Sequence, residues 1–332
     1  MKKPLIVLTG PTAVGKTALS LELAKAVNGA IISADSMQVY KHMDIGSAKI
    51  SREEMHGVPH YLIDEFMPQE EFNIVLFQRY AKAYMEEIYQ KGQIPILAGG
   101  TGFYIQSVVY DIDFSQEGAD KSYRSHLEEL ARENGGDALY RMLRDVDAKA
   151  ADQIHPNNTK RVIRALEFYH ESGGKKISEH NAREREKTSP YNFAYFVLND
   201  ERKRLYESIE RRVDLMMEQG LVEEVQKLKD MGCHRGMVSM QGLGYKEILA
   251  YLEGEISLEE AVYRLKRDTR HFAKRQLTWF GREKDVIWME KQAFGYNEKK
   301  IRDAMLSVLA QKGIISKEGR EDERESQDSE TI

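Results

Sequence analysis

Cysteine is almost missing from this 332-residue chain. The single Cys233 excludes an intramolecular disulfide framework and any zinc site built on a Cys-x-x-Cys pair, and it fits a reducing compartment. Long apolar runs are missing too, since no stretch approaches the roughly 18 residues of a membrane span. Met1-Lys2-Lys3 ahead of Leu5 to Leu8 imitates the start of a signal peptide, but Gly10-Pro11-Thr12 cuts the run short. Internal repeats are absent, and only 7 residues are proline. A cytoplasmic protein, taken as a monomer and not bound to a membrane, is expected. What is present is ample material for a core: 41% of residues are hydrophobic beside 31% charged, a globular and not a disordered composition. The length exceeds that of one usual domain and predicts a principal core plus a second module.

The net charge of −5 at first argues against a nucleic-acid partner, but charge has to be read by segment. Ser316 to Ile332 holds three Lys/Arg and seven Asp/Glu, a net of −4, which leaves −1 for everything before it. That tail has no aliphatic residue before its last position, so it cannot bury a face and is expected to be a disordered, solvated terminus.

Pro4 to Thr9 is a short apolar run that enters a glycine loop, and Thr17 to Val27 then has apolar positions at helical spacing. The pattern repeats with a buried strand at Ala30 to Ala34, an amphipathic helix at Val75 to Tyr89, and a strand at Ile94 to Ala98 entering Gly99-Gly100-Thr101-Gly102. This alternation predicts an α/β fold, a P-loop NTPase-like doubly wound parallel sheet with ligands at the carboxyl ends of its strands. From Asp113 to Ser189 the sequence turns polar and helical, with breaks at Gly135-Gly136, Pro156 and Gly173-Gly174, and reads as a helical insertion domain. Phe193 to Leu198 is a strand again, Val286 to Met289 a last short strand, and Lys299 to Gln311 a closing helix. The expected organisation is therefore a first core segment at 1–112, the insertion at 113–190, a second core segment at 191–314, and the tail at 315–332.

Gly10-Pro11-Thr12-Ala13-Val14-Gly15-Lys16-Thr17 fits the phosphate-loop pattern in full, between a strand and a helix. Gly10 and Gly15 let backbone amides wrap an anion, Lys16 supplies positive charge, Thr17 offers a hydroxyl to a magnesium ion, and the helix adds the positive end of its dipole. A diphosphate or triphosphate is the expected ligand. Asp35 ends the second strand at the same sheet edge, where it is either a base or the cap of a following helix. Thr101 holds the matching place after the third strand, as a site residue or as a turn residue. Arg212 lies on the apolar side of the helix marked by Leu205, Ile209, Val213 and Met216, so it either meets an anion or reaches out to water. Basic residues gather at Lys160-Arg161-Val162-Ile163-Arg164 and again at Arg264 to Arg282, where seven Lys/Arg face one Asp among His271, Phe272, Trp279 and Phe280. Such a stripe suits phosphate contacts with stacking on unpaired bases, or a solvated helix face. The residues alone leave two enzymes standing: a P-loop small-molecule kinase using ATP with Asp35 as base, and an enzyme that binds a diphosphate leaving group while its basic surface holds RNA. An NTPase switch is disfavoured, because only Ile31 to Asp35 offers an apolar strand closed by an aspartate.

Six ordered motifs go further: GPTAVGKT, ISADSMQVYKHMDIGSAK (Ile32 to Lys49), ILAGGTGFY (Ile96 to Tyr104), HPNNTKRVIRALE (His155 to Glu167), GLGYKE (Gly242 to Glu247) and AKRQLTWF (Ala273 to Phe280). Together they resemble bacterial tRNA dimethylallyltransferase, over nearly everything up to Met289. Asn158 stands where that family often has aspartate, and the zinc finger of eukaryotic relatives cannot form with one cysteine. The resemblance implies transfer of a dimethylallyl group from its diphosphate to the exocyclic amine of the adenosine immediately 3′ of the anticodon, in tRNAs reading codons that begin with U. It implies Mg²⁺ on Thr17, a diphosphate clamp at Gly10 to Thr17 with Arg212, and Asp35 as acceptor of the amine proton. Thr12 and Thr101 then orient the leaving oxygen and the base, and the adenine is flipped into a channel between core and insertion. The tRNA contacts carried over are Asp35, Ser36, Met37, Gln38, Thr101, Arg124, Lys160, Arg161, Val162, Ile163, Arg164, Gln241, Gly242, Leu243, Gly244, Tyr245, Lys246, Lys274, Arg275, Gln276, Leu277, Thr278, Trp279, Phe280 and Gly281.

Overall fold

Leu5 to Leu8 have no exposed surface at all, as expected of a parallel strand covered on both faces. They form the middle of β1 (Lys3–Thr9), the centre of a six-stranded sheet in a computed structural model that describes residues 2–114 and 121–316. The acidic run from residue 317 onward lies outside the described residues. Along the chain follow α1 (Lys16–Ala26), β2 (Gly29–Ser33), β3 (His60–Tyr61), α2 (Ile74–Gln90), β4 (Ile94–Gly99) and α3 (Gly102–Val109). Five helices come next: α4 (Lys121–Asn134), α5 (Gly136–Val146), α6 (Ala148–Gln153), α7 (Thr159–Glu171) and α8 (Ile177–Glu186). The sheet resumes with β5 (Tyr191–Asn199), then α9 (Arg202–Glu218), α10 (Leu221–Asp230), α11 (Tyr245–Leu252), α12 (Leu258–Phe280), β6 (Val286–Glu290) and α13 (Glu298–Gln311).

Every strand pair is parallel, in the order β3-β2-β4-β1-β5-β6. Long helices cover the sheet, and the apolar alternation seen in the sequence is the alternation of this α/β architecture. Two elements depart from the sequence expectation. β3 is only two half-buried residues, too short for any periodicity to show. The helix that Asp35 would have capped, one of the two alternatives for that residue, does not form; 34–59 is turns and irregular chain, pinned from outside. Glu224 on α10 does much of that pinning, accepting from the backbone N–H groups of Asp44, Ile45 and Gly46 at 2.8–3.0 Å and from the Tyr245 hydroxyl at 2.8 Å. Lys49, its side chain 3% exposed, ties the same loop to Asp44, Asp64 and the Tyr40 carbonyl.

The contacts divide the chain into two units, Met1–Val109 with Pro190–Ile332, and Tyr110–Ser189. The first boundary falls three residues before the expected one. α3 ends at Val109, and the Asp111 carbonyl is held by Lys187 at 3.1 Å, so this turn belongs with the helices. The helical unit has its own core, including Leu127, Leu139, Leu143, Val162, Ile163 and Leu166. Buried Asp147 caps α6 by accepting from Ala150 N–H at 3.0 Å and also accepts from the backbone and hydroxyl of Ser178 at 2.9 and 2.6 Å. Among the described residues no helix is long and apolar enough to cross a membrane.

Candidate active site

β1, β2 and β4 deliver their carboxyl ends to one edge of the sheet, where chain reversals leave a crevice. A cavity of about 330 Å³ opens there. The loop after β1 turns at Gly10, whose φ of 147° and whose contact with the Leu198 carbonyl, 2.2 Å from where a Cβ would sit, admit no other residue. Gly15 in the left-handed conformation starts α1. Thr12, Ala13, Gly15, Lys16 and Thr17 line the cavity, while Gly10, Pro11 and Val14 form the buried rear of the loop.

Lys16 hooks back over this loop, donating to the carbonyls of Gly10 at 3.0 Å and Pro11 at 2.8 Å. Part of its stem is exposed, but its ammonium is enclosed. Burial, and secondarily the nearby Arg212 charge, bring its pKa down to about 7, against the opposite pull of Asp35. The Arg212 guanidinium is likewise lowered by burial and supported by Asp35. It donates to the Thr12 hydroxyl at 3.4 Å. The stripe predicted for this helix is present, with Leu205, Ile209, Val213 and Met216 buried, Arg212 turned into the cavity and Arg211 exposed. Two cations facing one carboxylate in a cavity form a site with positive charge to spare, suited to an anion.

Asp35 lines the cavity, and its Oδ1 accepts from the Met37 N–H at 2.8 Å. It closes a turn and caps no helix, which corrects the cap alternative. Thr101 precedes α3 and does not line the cavity, where its neighbours Gly99 and Gly100 do. Its N–H donates to the Ala34 carbonyl at 3.1 Å, tying its turn to the residue before Asp35. The lining also has an apolar part, contributed by Ile31, Ala48, Ile50, Ile63, Ala98 and Phe272. His60 adjoins it, its Nδ1–H donating to the Val58 carbonyl at 2.8 Å; burial lowers its pKa below the usual range, so the ring is neutral at pH 7.

Ile31, Ala98 and Phe272 come from β2, β4 and α12, whereas sequence reasoning missed Ala48, Ile50 and Ile63 because they come from irregular chain around β3. It gave Gln276 only as a tRNA contact implied by the resemblance; the residue is 5% exposed, accepts from the Thr12 N–H at 2.9 Å and donates to the Gly100 carbonyl at 2.9 Å. Lys291, just beyond β6, was missed as well; it donates to the Val14 carbonyl at 3.2 Å and lies 3.8 Å from Asp200. The α12 stripe at Ala261, Leu265, Thr269, Ala273, Gln276 and Phe280 was the available signal for Gln276, since it sets that residue on the inward face.

The residues carried over as tRNA contacts divide by exposure. Lys160 and Arg161 on α7, and Lys274, Arg275 and Thr278 on α12, are exposed, as are Gln241 and Gly281. Ser36, Met37, Gln38, Arg164, Leu243, Lys246, Leu277 and Trp279 are partly buried, and Gln38 lines the cavity. Val162, Ile163, Tyr245 and Phe280 turn their side chains into hydrophobic interior, and Gly242 and Gly244 are buried. Arg124 is engaged by Glu128 and Glu167. Asn158 caps α7 by accepting from the Arg161 N–H at 3.3 Å, a role an aspartate would fill equally. The basic stripe is narrower than its composition suggests: Arg264, Lys266, Arg267 and Arg270 each pair with a carboxylate, while Lys274 and Arg275 have none among the described residues.

Comparison with known proteins adds relatives to this geometry. The IPP transferase family model matches residues 38–283, starting past the phosphate loop. A tRNA dimethylallyltransferase of Lachnoclostridium phytofermentans is 60% identical over 313 residues, 94% of this chain and 99% of that protein. The solved tRNA isopentenylpyrophosphate transferase of Bacillus halodurans matches with a TM-score of 0.70 at 44% identity, over 94% of this chain and 98% of the other. A eukaryotic dimethylallyltransferase captured acting on tRNA matches with a TM-score of 0.75 at 31% identity, over 87% and 74% respectively.

Proposed function

The chain belongs to the IPP transferase family, and from that premise we propose that the cavity holds dimethylallyl diphosphate for attack by the exocyclic amine of the adenosine immediately 3′ of the anticodon. The chain is a prenyl-transferring tRNA-modification enzyme, which sets aside the small-molecule kinase reading. Codons beginning with U define its tRNAs in this reading, and it acts as a cytoplasmic monomer. One observation carries the proposal: Lys16, Arg212 and the loop after β1 share a cavity with the carboxylate of Asp35 and with the apolar part of the lining.

The diphosphate lies against the amides at the start of α1, the helix end that favours anions. The five-carbon group rests on Ile31, Ile50, Ile63 and Phe272. As the amine nitrogen bonds to the first allylic carbon, the carbon–oxygen bond to diphosphate breaks and negative charge grows on the leaving oxygen. Lys16 and Arg212 stabilise that charge, and Thr12 holds the Arg212 fork in place. The nitrogen becomes cationic and gives its proton to Asp35. An adenine stacked in an anticodon loop reaches such a crevice only when flipped out. Lys160, Arg161, Lys274 and Arg275 contact tRNA phosphates.

The enzyme works with a divalent metal, which we take to be Mg²⁺. Among the described residues no group of three or more His, Cys, Asp or Glu forms a metal cage. The cavity instead offers the Thr17 hydroxyl at the start of α1, which suits an ion coordinated mainly by diphosphate oxygens and water. Such an ion neutralises diphosphate charge when bound.

The test is incubation of the protein with Mg²⁺, unmodified tRNA and radiolabelled dimethylallyl diphosphate, with labelled ATP in parallel. Label on RNA from the prenyl donor alone is expected. Label from ATP, or none from the donor, overturns the proposal.

A further inference from the structure

Most of α12's inward face is apolar, and a polar side chain there is costly unless its hydrogen bonds are made. Gln276 sits on that face between Ala273 and Phe280. Its amide is spent on two different loops: Oε1 accepts from the Thr12 N–H and Nε2 donates to the Gly100 carbonyl, each at 2.9 Å. Gly100 is shaped to this contact, since a Cβ there would stand 2.2 Å from Nε2. The chain of bonds continues on both sides. Thr12 meets Arg212 through its hydroxyl. Beyond Gly100, the Thr101 N–H donates to the carbonyl of Ala34, and the Ala34 N–H donates to Ala98 on β4. Asp35 follows Ala34 directly.

We infer that Gln276 is a positioning residue that fixes the spacing between the leaving-group clamp at Thr12 and Arg212 and the proton acceptor at Asp35. The inference rests on the proposed prenyl transfer and deepens it. Gln276 lines the donor cavity, but both ends of its amide are taken by the two loops, and it acts through them, their relative placement setting the approach of amine to allylic carbon. Its neighbours Lys274 and Arg275 face outward from the same helix, so the residue also anchors the basic face to the donor site.

Two variants test this. Gln276→Met keeps the volume and removes both hydrogen bonds; kcat for dimethylallyl transfer should fall about 10- to 100-fold, with tRNA affinity unchanged. Gln276→Glu keeps the acceptor for Thr12 but places a carboxylate against the Gly100 carbonyl. Only its protonated form can donate there, so the ratio of variant to wild-type kcat should climb as pH falls from about 8.5 to 5.5. Lys16, Arg212, Asp35 and His60 line the same cavity in both proteins, so the ratio isolates the new carboxyl. Wild-type kcat in Gln276→Met, or a ratio independent of pH in Gln276→Glu, overturns the inference. If the Met variant fails to fold, the Glu ratio alone decides. A wild-type protein without dimethylallyl transfer would instead overturn the functional reading beneath.

Discussion

Lys16 sets stability against function. Burial brings its pKa in the folded chain down to about 7 from the ordinary lysine value of 10.5, so between those values the unfolded chain binds more protons than the folded one. Stability therefore rises with pH across that window, as the cost of the enclosed charge is relieved. Lys16→Met should stabilise the unliganded protein at pH 7, by about 0.5–2 kcal/mol, while abolishing turnover. Thermal melts at pH 7 and 9 check this, since the variant's advantage should shrink at the higher pH. Diphosphate reverses the balance by favouring the charged amine: donor binding should take up a proton and weaken from pH 7 to 9. Titration calorimetry in buffers of different ionisation enthalpy reads that uptake, and its absence would remove Lys16 from the anion site. Asp35→Asn retains the Oδ1 that accepts from Met37, so the turn survives, but it removes the proton acceptor. kcat should drop about 10²- to 10⁴-fold, with tRNA binding intact; a smaller loss would take Asp35 out of the reaction. Arg212 was legible because an arginine in an apolar stripe demands an explanation. The inward role of Gln276 was hidden by its basic neighbours, although the same stripe contained it.

At the scale of elements, the apolar strands read plainly from sequence, because a parallel strand buried on both faces is an uninterrupted hydrophobic run. The segment after Asp35 did not, since its conformation is set from a distance. Glu224 lies about 180 residues away in sequence yet takes three of that segment's backbone donors and the Tyr245 hydroxyl. Glu224→Ala strands the buried Tyr245 hydroxyl and three part-buried backbone donors and should cost about 2–3 kcal/mol, read as a lower urea midpoint. Tyr245→Phe removes one donor together with its need and should cost about 1 kcal/mol. Because Gln38 and Ala48 on the same segment line the cavity, donor affinity should fall in Glu224→Ala while the cations of α12 keep their hold on tRNA. A loss no larger than that of Tyr245→Phe would show that the segment holds itself. The basic stripe on α12 shows the same limit. Its partners Glu210 and Asp214 sit on α9, and no periodicity within α12 reveals them.

At the scale of the whole molecule, a protein of net charge −5 binds a polyanion, so its affinity must come from local cations. Four basic residues of α12 are already matched by carboxylates, and exposed ion pairs of this kind contribute little to stability. Each would have to give up a partner to take a phosphate. Lys160, Arg161, Lys274, Arg275 and Arg282 are exposed and have no such partner among the described residues. Neutralising about five phosphates corresponds to a slope of about −3.5 to −4.5 in log affinity against log salt. Lys274→Ala and Arg275→Ala should each flatten the slope by about 1, as should Lys160→Ala and Arg161→Ala in the helical unit. Arg264→Ala and Lys266→Ala should leave it nearly unchanged. Filter binding of tRNA between about 50 and 200 mM salt distinguishes these sets. Equal flattening by the paired residues would mean that the ion pairs on α12 open to admit RNA, and that the stripe acts as a whole, as its composition suggested.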